Sequence, residues 1–231
     1  MKEAFRFKQF CVAQDRCAMK VGTDGVLLGA WAEGGRCVLD IGTGTGLIAL
    51  MLAQRYGDAA IEALEIDHAA CLQAAENVAD SPFSKQVRVI EGSLQTFVTD
   101  TRYDAIVSNP PFYAAALHAP DRRRALARQT ESLPFAELIR HARALLAPGG
   151  TFSVIVPTAS ADGFINLCAL SGLLLKRRCE VCTVSGKPPK RSLLAFSDRR
   201  QGPAEVLTAT MSYPDGSKTA WYQALTSAFY L

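Results

Sequence analysis

A chain of 231 residues, 49% hydrophobic and 20% charged, is long enough for a full core and too apolar for disorder. A net charge of +3 neither demands nor excludes a polyanionic partner, so any case for nucleic acid rests on local patches. Seven irregularly spaced cysteines, several inside apolar runs, exclude a disulfide framework and point to free thiols in a reducing compartment. With no signal-like opening and no apolar run of transmembrane length, the expectation is a cytoplasmic protein away from membranes.

Phe5 and Phe7 alternate while Phe10 and Val12 fall in the opposite phase, which predicts a strand or hairpin arm with a bulge over 5–12. Residues 14–22 are polar and turn-like. Asp24 precedes an apolar run and reads as the cap of a helix through Trp31. A strand over 36–41 and a helix over 45–56 follow. The next strand, 60–66, ends in acids, and a helix over 68–79 stops near Ser81-Pro82. Residues 86–91 alternate as a strand and 93–99 read as a short helix. The strand over 103–108 runs straight into Asn109-Pro110-Pro111-Phe112. Then come a polar, arginine-rich connection over 113–132, a helix over 134–146, a Pro148-Gly149-Gly150 turn and a strand over 151–156. The remainder reads as a helix over 164–173, strands over 174–184, 191–197 and 205–212, a turn at 214–217 and a closing helix over 218–230. Strands alternating with helices predict an α/β fold, a mostly parallel sheet with helices on both faces. One domain over 35–231, with an N-terminal extension over 1–34, is the simplest organisation.

The stretch Val38 to Leu50, "VLDIGTGTGLIAL", places a glycine turn between a strand and a helix N-terminus, a cradle for a small ligand. Gly42, Gly44 and Gly46 are spaced Gly-x-Gly-x-Gly, with Thr43 between the first two, and Leu47 stands where a dinucleotide fingerprint needs its third glycine. Asp40 is a poor neighbour for a pyrophosphate and suits a ligand carrying an ammonium group. The combination resembles the nucleotide-facing loop of class I S-adenosylmethionine-dependent methyltransferases. That resemblance implies a Rossmann-like, seven-stranded, mostly parallel sheet and S-adenosylmethionine as cofactor. Glu65 ends the second central strand, where an acid commonly accepts both hydroxyls of a ribose; Asp67 reads as the cap of the helix after it. Ser93 stands where such enzymes often place an acid for the adenine amine, and it serves equally as a helix cap.

Asn109-Pro110-Pro111-Phe112 is the second signal. Two prolines fix φ twice and remove two donors, so carbonyls project with little freedom. The Asn109 and Pro110 carbonyls suit the two N–H groups of one amine, and Phe112 offers a face to a planar ring. The tetrapeptide resembles the Asn-Pro-Pro-aromatic motif of amino-methyltransferases acting on adenine N6, guanine N2 or protein glutamine. "FRFKQFCVAQDRCAMKVGTDGVLLGAWA", "RSLLAFS" and "ALTSAFYL" resemble the bacterial tRNA1(Val) adenosine-37 N6-methyltransferase family over nearly the whole chain. The resemblance implies a tRNA substrate, with Asp40, Gly42, Gly44, Gly46 and Glu65 at the cofactor and Asn109 to Phe112 at the target base. It adds Thr23 and Asp24 at the methionine end of the cofactor, although a plain helix cap fits them as well. Guanine-N2 or protein-glutamine methylation, and a non-catalytic RNA-binding module, are the alternatives.

Arg122, Arg123, Arg124 and Arg128 follow the tetrapeptide, Lys187, Lys190 and Arg191 flank a second diproline turn, and Lys2, Arg6, Lys8, Arg16 and Lys20 decorate the N-terminal arm. Together they suggest a rim that tracks phosphates. Lys176-Arg177-Arg178 inside a strand read as an edge-strand guard. Cys179 and Cys182 form a lone Cys-x-x-Cys on a strand, and His68, His118 and His141 lack ligand spacing, so no metal is expected. A monomer or weak dimer is the expected state.

Overall fold

The computed structural model describes residues 4–17, 19–111, 134–199 and 202–231. Phe112, Arg122, Arg123, Arg124 and Arg128 lie outside the described residues.

A hairpin comes first: β1 (Ala4–Arg6) pairs antiparallel with β2 (Cys11–Ala13), Phe5 opposite Val12. The break in phase expected to be a bulge is the turn itself. Phe7 N–H donates to the Phe10 carbonyl at 2.9 Å, and both rings are buried. The two rings stack at 4.8 Å between centroids, and Phe7 stacks on Tyr230 at 5.9 Å. Lys8 N–H reaches the Phe229 carbonyl at 2.8 Å, so the hairpin closes on residues 229–230.

Helix α1 (Thr23–Trp31) has no polar face beyond its first turn, and Gly25 to Trp31 are all buried, as such a helix must be. It packs on α2 (Leu47–Arg55) at close range: a Cβ on Gly29 would stand 2.7 Å from Met51 Sδ. Asp24 is not the cap of α1. Gly22 occupies that position without a side-chain bond, and the Asp24 carboxylate pairs with Arg191 Nε at 2.7 Å.

The main sheet contains β3 (Cys37–Ile41), β4 (Ala60–Glu65), β5 (Val87–Glu91), β6 (Tyr103–Ser108), β7 (Leu146–Pro157), β8 (Leu174–Val184), β9 (Arg191–Ser197) and β10 (Glu205–Ser212). Their order is β10-β8-β9-β7-β6-β3-β4-β5. All run parallel except β9, which is antiparallel to both neighbours. Among the described residues the sheet therefore has eight strands, one more than the seven expected, because β10 adds beside β8. That addition makes β8 an interior strand, so Lys176-Arg177-Arg178 are not an edge guard. They are neutralised instead: Lys176 and Arg177 pair with Glu33 at 2.5 and 3.4 Å, and Arg178 pairs with Glu180 and Asp162 at 2.5 and 2.7 Å.

Helices α3 (His68–Ala79), α4 (Phe135–Leu145), α5 (Thr158–Leu170) and α6 (Ala220–Thr226) complete the fold. Both faces of the sheet are covered, so its strands are apolar on both sides. Val38 and Val107 join a cluster with α1 and α2, while Leu39 and Ile106 join one with α4 and α5 around Phe152, Phe164 and Phe196.

Two local expectations are corrected. Residues 93–99 form no helix but a turn over 94–96 and irregular chain after it; the Ser93 hydroxyl accepts the Gln95 N–H at 3.2 Å and competes with helical bonding. Pro148-Gly149-Gly150 lies inside β7 rather than before it. The register shifts there, and Asp198 accepts the Gly149 N–H at 2.8 Å.

Residues 13–16 hang on α3 through buried amides. Asn77 Oδ1 accepts Ala13 N–H at 2.8 Å, and its Nδ2 donates to the Ala13 and Thr45 carbonyls, each at 2.9 Å. Gln73 accepts Arg16 N–H at 2.9 Å and donates to Asp15 at 2.7 Å. Replacing Asn77 with alanine leaves one amide and two carbonyls without this partner. The Asn77→Ala chain is expected to lose about 2–4 kcal/mol, read as a lower urea midpoint. A midpoint equal to wild type would show that the contact is dispensable.

Candidate active site

β3, β4, β5 and β6 end along one edge of the sheet, the edge at which parallel α/β sheets present turns and helix N-termini to a ligand. A cavity of about 850 Å³ opens there, the size of a nucleoside-scale ligand site. One wall is the glycine loop. Gly42, Gly44 and Gly46 take φ of 70°, 58° and 83°, the left-handed region that side-chain-bearing residues rarely enter. The loop is tied to β4: Gly42 and Thr43 N–H donate to the Leu64 carbonyl at 2.9 and 3.1 Å. No atom stands within 4 Å of where a Gly42 Cβ would be, which leaves a space against bare backbone.

Glu65 is buried and lines the cavity. Its Oε2 accepts Gly44 N–H at 2.8 Å, and its Oε1 accepts the Ile66 and Asp67 N–H groups at 2.9 Å each. A carboxylate has about four acceptor positions, so one is left for a ribose hydroxyl rather than the pair expected. Asp67 caps α3 by accepting Ala70 N–H at 2.8 Å, as its place before a helix predicts.

Asp40 does not line the cavity. It is fully buried behind the loop, where its Oδ2 accepts the Thr43 hydroxyl at 2.6 Å and its Oδ1 has no partner among the described residues. Its influence on a ligand therefore passes through Thr43, which does line the cavity. Burial pushes its pKa up to about 7, against the pull of the Thr43 hydroxyl and the Ala49 backbone N–H and with a further push from Glu65. Gly46, the N-cap residue of α2, and Ser93 also stand outside the lining.

Asn109, Pro110 and Pro111 line the same cavity from the exit of β6. The Ser108 hydroxyl donates to the Ile41 carbonyl at 2.9 Å and ties this exit to β3. Asn109 Nδ2 lies 3.8 Å from Met19 Sδ, and Asn109 Oδ1 is buried without a partner among the described residues. Thr23 and Asp24 line the cavity too, and so does Arg191, which its charge alone had grouped with an outer rim. Lys187 and Lys190 are exposed on the turn between β8 and β9, outside the lining.

Sequence reasoning missed Cys17 and Met19, which the amides of α3 bring over the loop, and also Ile66 and Gln95, while Lys20 of the N-terminal basic group does line the cavity. Met19, an apolar residue in a polar stretch, was the one available signal. A smaller cavity of about 410 Å³ lies at the opposite ends of the strands among Glu33, Lys176, Arg177, Arg199 and Glu205. Glu33 there pairs with Lys176 and Arg177, Arg177 also pairs with Glu205, and Gly202 and Pro203 complete the wall. No described helix is long and apolar enough to cross a membrane.

Fold and site define a class I methyltransferase, and the residues fit S-adenosylmethionine: a glycine cradle, an acid with one acceptor position left and a cavity of matching size. The methyltransferase small-domain model matches residues 21–161. A predicted O-methyltransferase from Agrobacterium tumefaciens has a similar structure, with a TM-score of 0.68 at 19% identity over 89% of this chain and 96% of that one. The tRNA1(Val) (adenine(37)-N6)-methyltransferase of Parabacteroides distasonis is 43% identical over 98% of this chain and 97% of its own length. Its counterpart in Aeromonas hydrophila is 47% identical over the same shares. The chain belongs to the tRNA1(Val) (adenine(37)-N6)-methyltransferase family.

The Asp40 carboxyl has a pH consequence. Its folded pKa stands above the unfolded value of 3.8, so the folded chain holds the proton more tightly and stability falls as pH rises from about 4 to about 7. This group alone removes at most roughly 4 kcal/mol across that window. Asp40→Asn is expected to flatten the fall in melting temperature between pH 4.5 and pH 8. Parallel curves for the two proteins would contradict it.

Proposed function

We propose that this chain transfers a methyl group from S-adenosylmethionine to the N6 amine of adenosine 37 in valine tRNA. The observation that carries the chemistry is Asn109 Oδ1, a buried acceptor without a partner among the described residues, at the strand exit beside the glycine loop. S-adenosylmethionine, when bound, supplies an electrophilic methyl group on a sulfonium.

The amine of adenine is a poor nucleophile because its lone pair is delocalised into the ring. Asn109 Oδ1 and the Pro110 carbonyl each accept one of its N–H groups and draw them out of the ring plane. The lone pair then points toward the methyl, and orientation supplies most of the rate. Both acceptors are neutral, so the nitrogen gives up its proton to water after it has gained the methyl. Phe112 stacks on the target base, which must leave its own stack to reach the site. Thr43, Gly42, Gly44 and Glu65 hold the ribose and backbone of the cofactor, and Thr23 and Asp24 its methionine end. Asp40 and Gly46 shape the loop from behind.

Residues 1–34 form a substrate-side extension of the catalytic unit over 35–231. Arg122, Arg123, Arg124 and Arg128, with Lys187 and Lys190, track phosphates of the anticodon arm. The protein works in the cytoplasm, where its substrate is.

Incubation with labelled cofactor and unmodified valine tRNA is expected to yield N6-methyladenosine on nucleoside analysis. Asn109→Ala is expected to lower turnover about a hundredfold or more while S-adenosylhomocysteine affinity stays within a few fold. A folded, cofactor-binding wild type that forms no N6-methyladenosine would overturn the reading.

A further inference from the structure

Along the cavity edge the strand exits run β6, β3, β4, β5. The acceptor residues stand at β6, the glycine loop at β3 and Glu65 at β4. A cofactor laid with its methyl toward Asn109 and its ribose at Glu65 carries its base over the exit of β5. Two features there suit a purine. Ile66, a large apolar side chain, is 66% exposed in the cavity wall. Gln95, on the turn after β5, also lines the wall, whereas Ser93 does not.

The Gln95 amide is held at both ends. Its Oε1 accepts the Ser93 hydroxyl at 2.6 Å, and its Nε2 donates to Glu137 Oε2 at 3.0 Å. Each end keeps one further position, since a primary amide has two donors and two acceptor lone pairs. Ser93 can donate or accept and would tolerate either orientation. Glu137 is a carboxylate and can only accept, so turning the amide over would set Oε1 against a negative oxygen. Glu137 therefore fixes which face of the amide donates.

We infer that Gln95 reads the adenine of S-adenosylmethionine, with Oε1 accepting from the 6-amine and Nε2 donating to N1, and that Glu137 is a positioning residue that locks this orientation. The assignment rests on the cofactor reading above. It moves base recognition from Ser93 to the amide two residues later. A fixed acceptor–donor pair matches adenine and mismatches hypoxanthine, whose 6-oxygen accepts and whose N1 donates.

Calorimetry with S-adenosylhomocysteine and S-inosylhomocysteine tests it. Wild type is expected to prefer the adenosyl compound by about 10- to 100-fold. Gln95→Ala is expected to bring that ratio to within about threefold of unity, chiefly by weakening adenosyl binding. Glu137→Gln frees the amide to turn and is expected to tighten inosyl binding at least about fivefold, which general loosening of the site would not do. An unchanged ratio in Gln95→Ala, with adenosyl binding intact in wild type, overturns the adenine assignment alone. Inosyl binding unaltered by Glu137→Gln overturns the lock. Wild type binding neither compound overturns the cofactor reading and this inference with it.

Discussion

The Glu65 carboxylate is the tie on which the cofactor wall depends. Three glycines at alternate positions free the backbone, and freedom alone would leave the loop floppy. One oxygen of Glu65 takes the middle glycine's amide, and the other takes the two amides that begin the next connection. A single side chain thus fixes both turns that face the ligand. Charge-assisted bonds to backbone amides are among the stronger ones available, and burial shields them from water. Gly42 can present bare backbone to a ligand because its neighbour is held.

The same economy appears on α3. Asn77 and Gln73 are polar residues in the buried face of a helix, and they bond backbone groups of the segment that precedes α1 together with the Asp15 carboxylate. Asn77 also holds the carbonyl of Thr45, so it joins the segment over the cavity to the loop beneath it. The Asp24–Arg191 pair makes a similar link from α1 to β9 at the far wall. The cavity is therefore built by polar cross-links between elements distant in sequence, set within a framework positioned by apolar packing.

Strands β3 to β6 and helix α3 were legible because period and punctuation agree: apolar runs end in acids, glycines or prolines. The glycine spacing and the Asn-Pro-Pro run exposed the two walls of the site for the same reason, as both are local motifs. What was not legible depends on partners far along the chain. Whether Asp40 faces a ligand or the core is decided by the loop folding over it. Ser93 and Gln95 are separated by which one turns inward. β8 read as an edge because nothing in its own residues announces that β10 will lie beside it. Arg191 read as a surface charge because Asp24, its partner, lies far away in sequence.

The stacking of Phe7 on Tyr230, and the bond from Lys8 to Phe229, set an order of events during synthesis. The hairpin is made long before residues 229 and 230, on which it docks. Until residues 229 and 230 leave the ribosome, residues 13–16 hang from α3 without the docked hairpin before them. Domains generally assemble as the chain emerges. Here the hairpin docks only once residues 229 and 230 have been made, so a nascent chain carries the strands and helices of its framework before that contact forms.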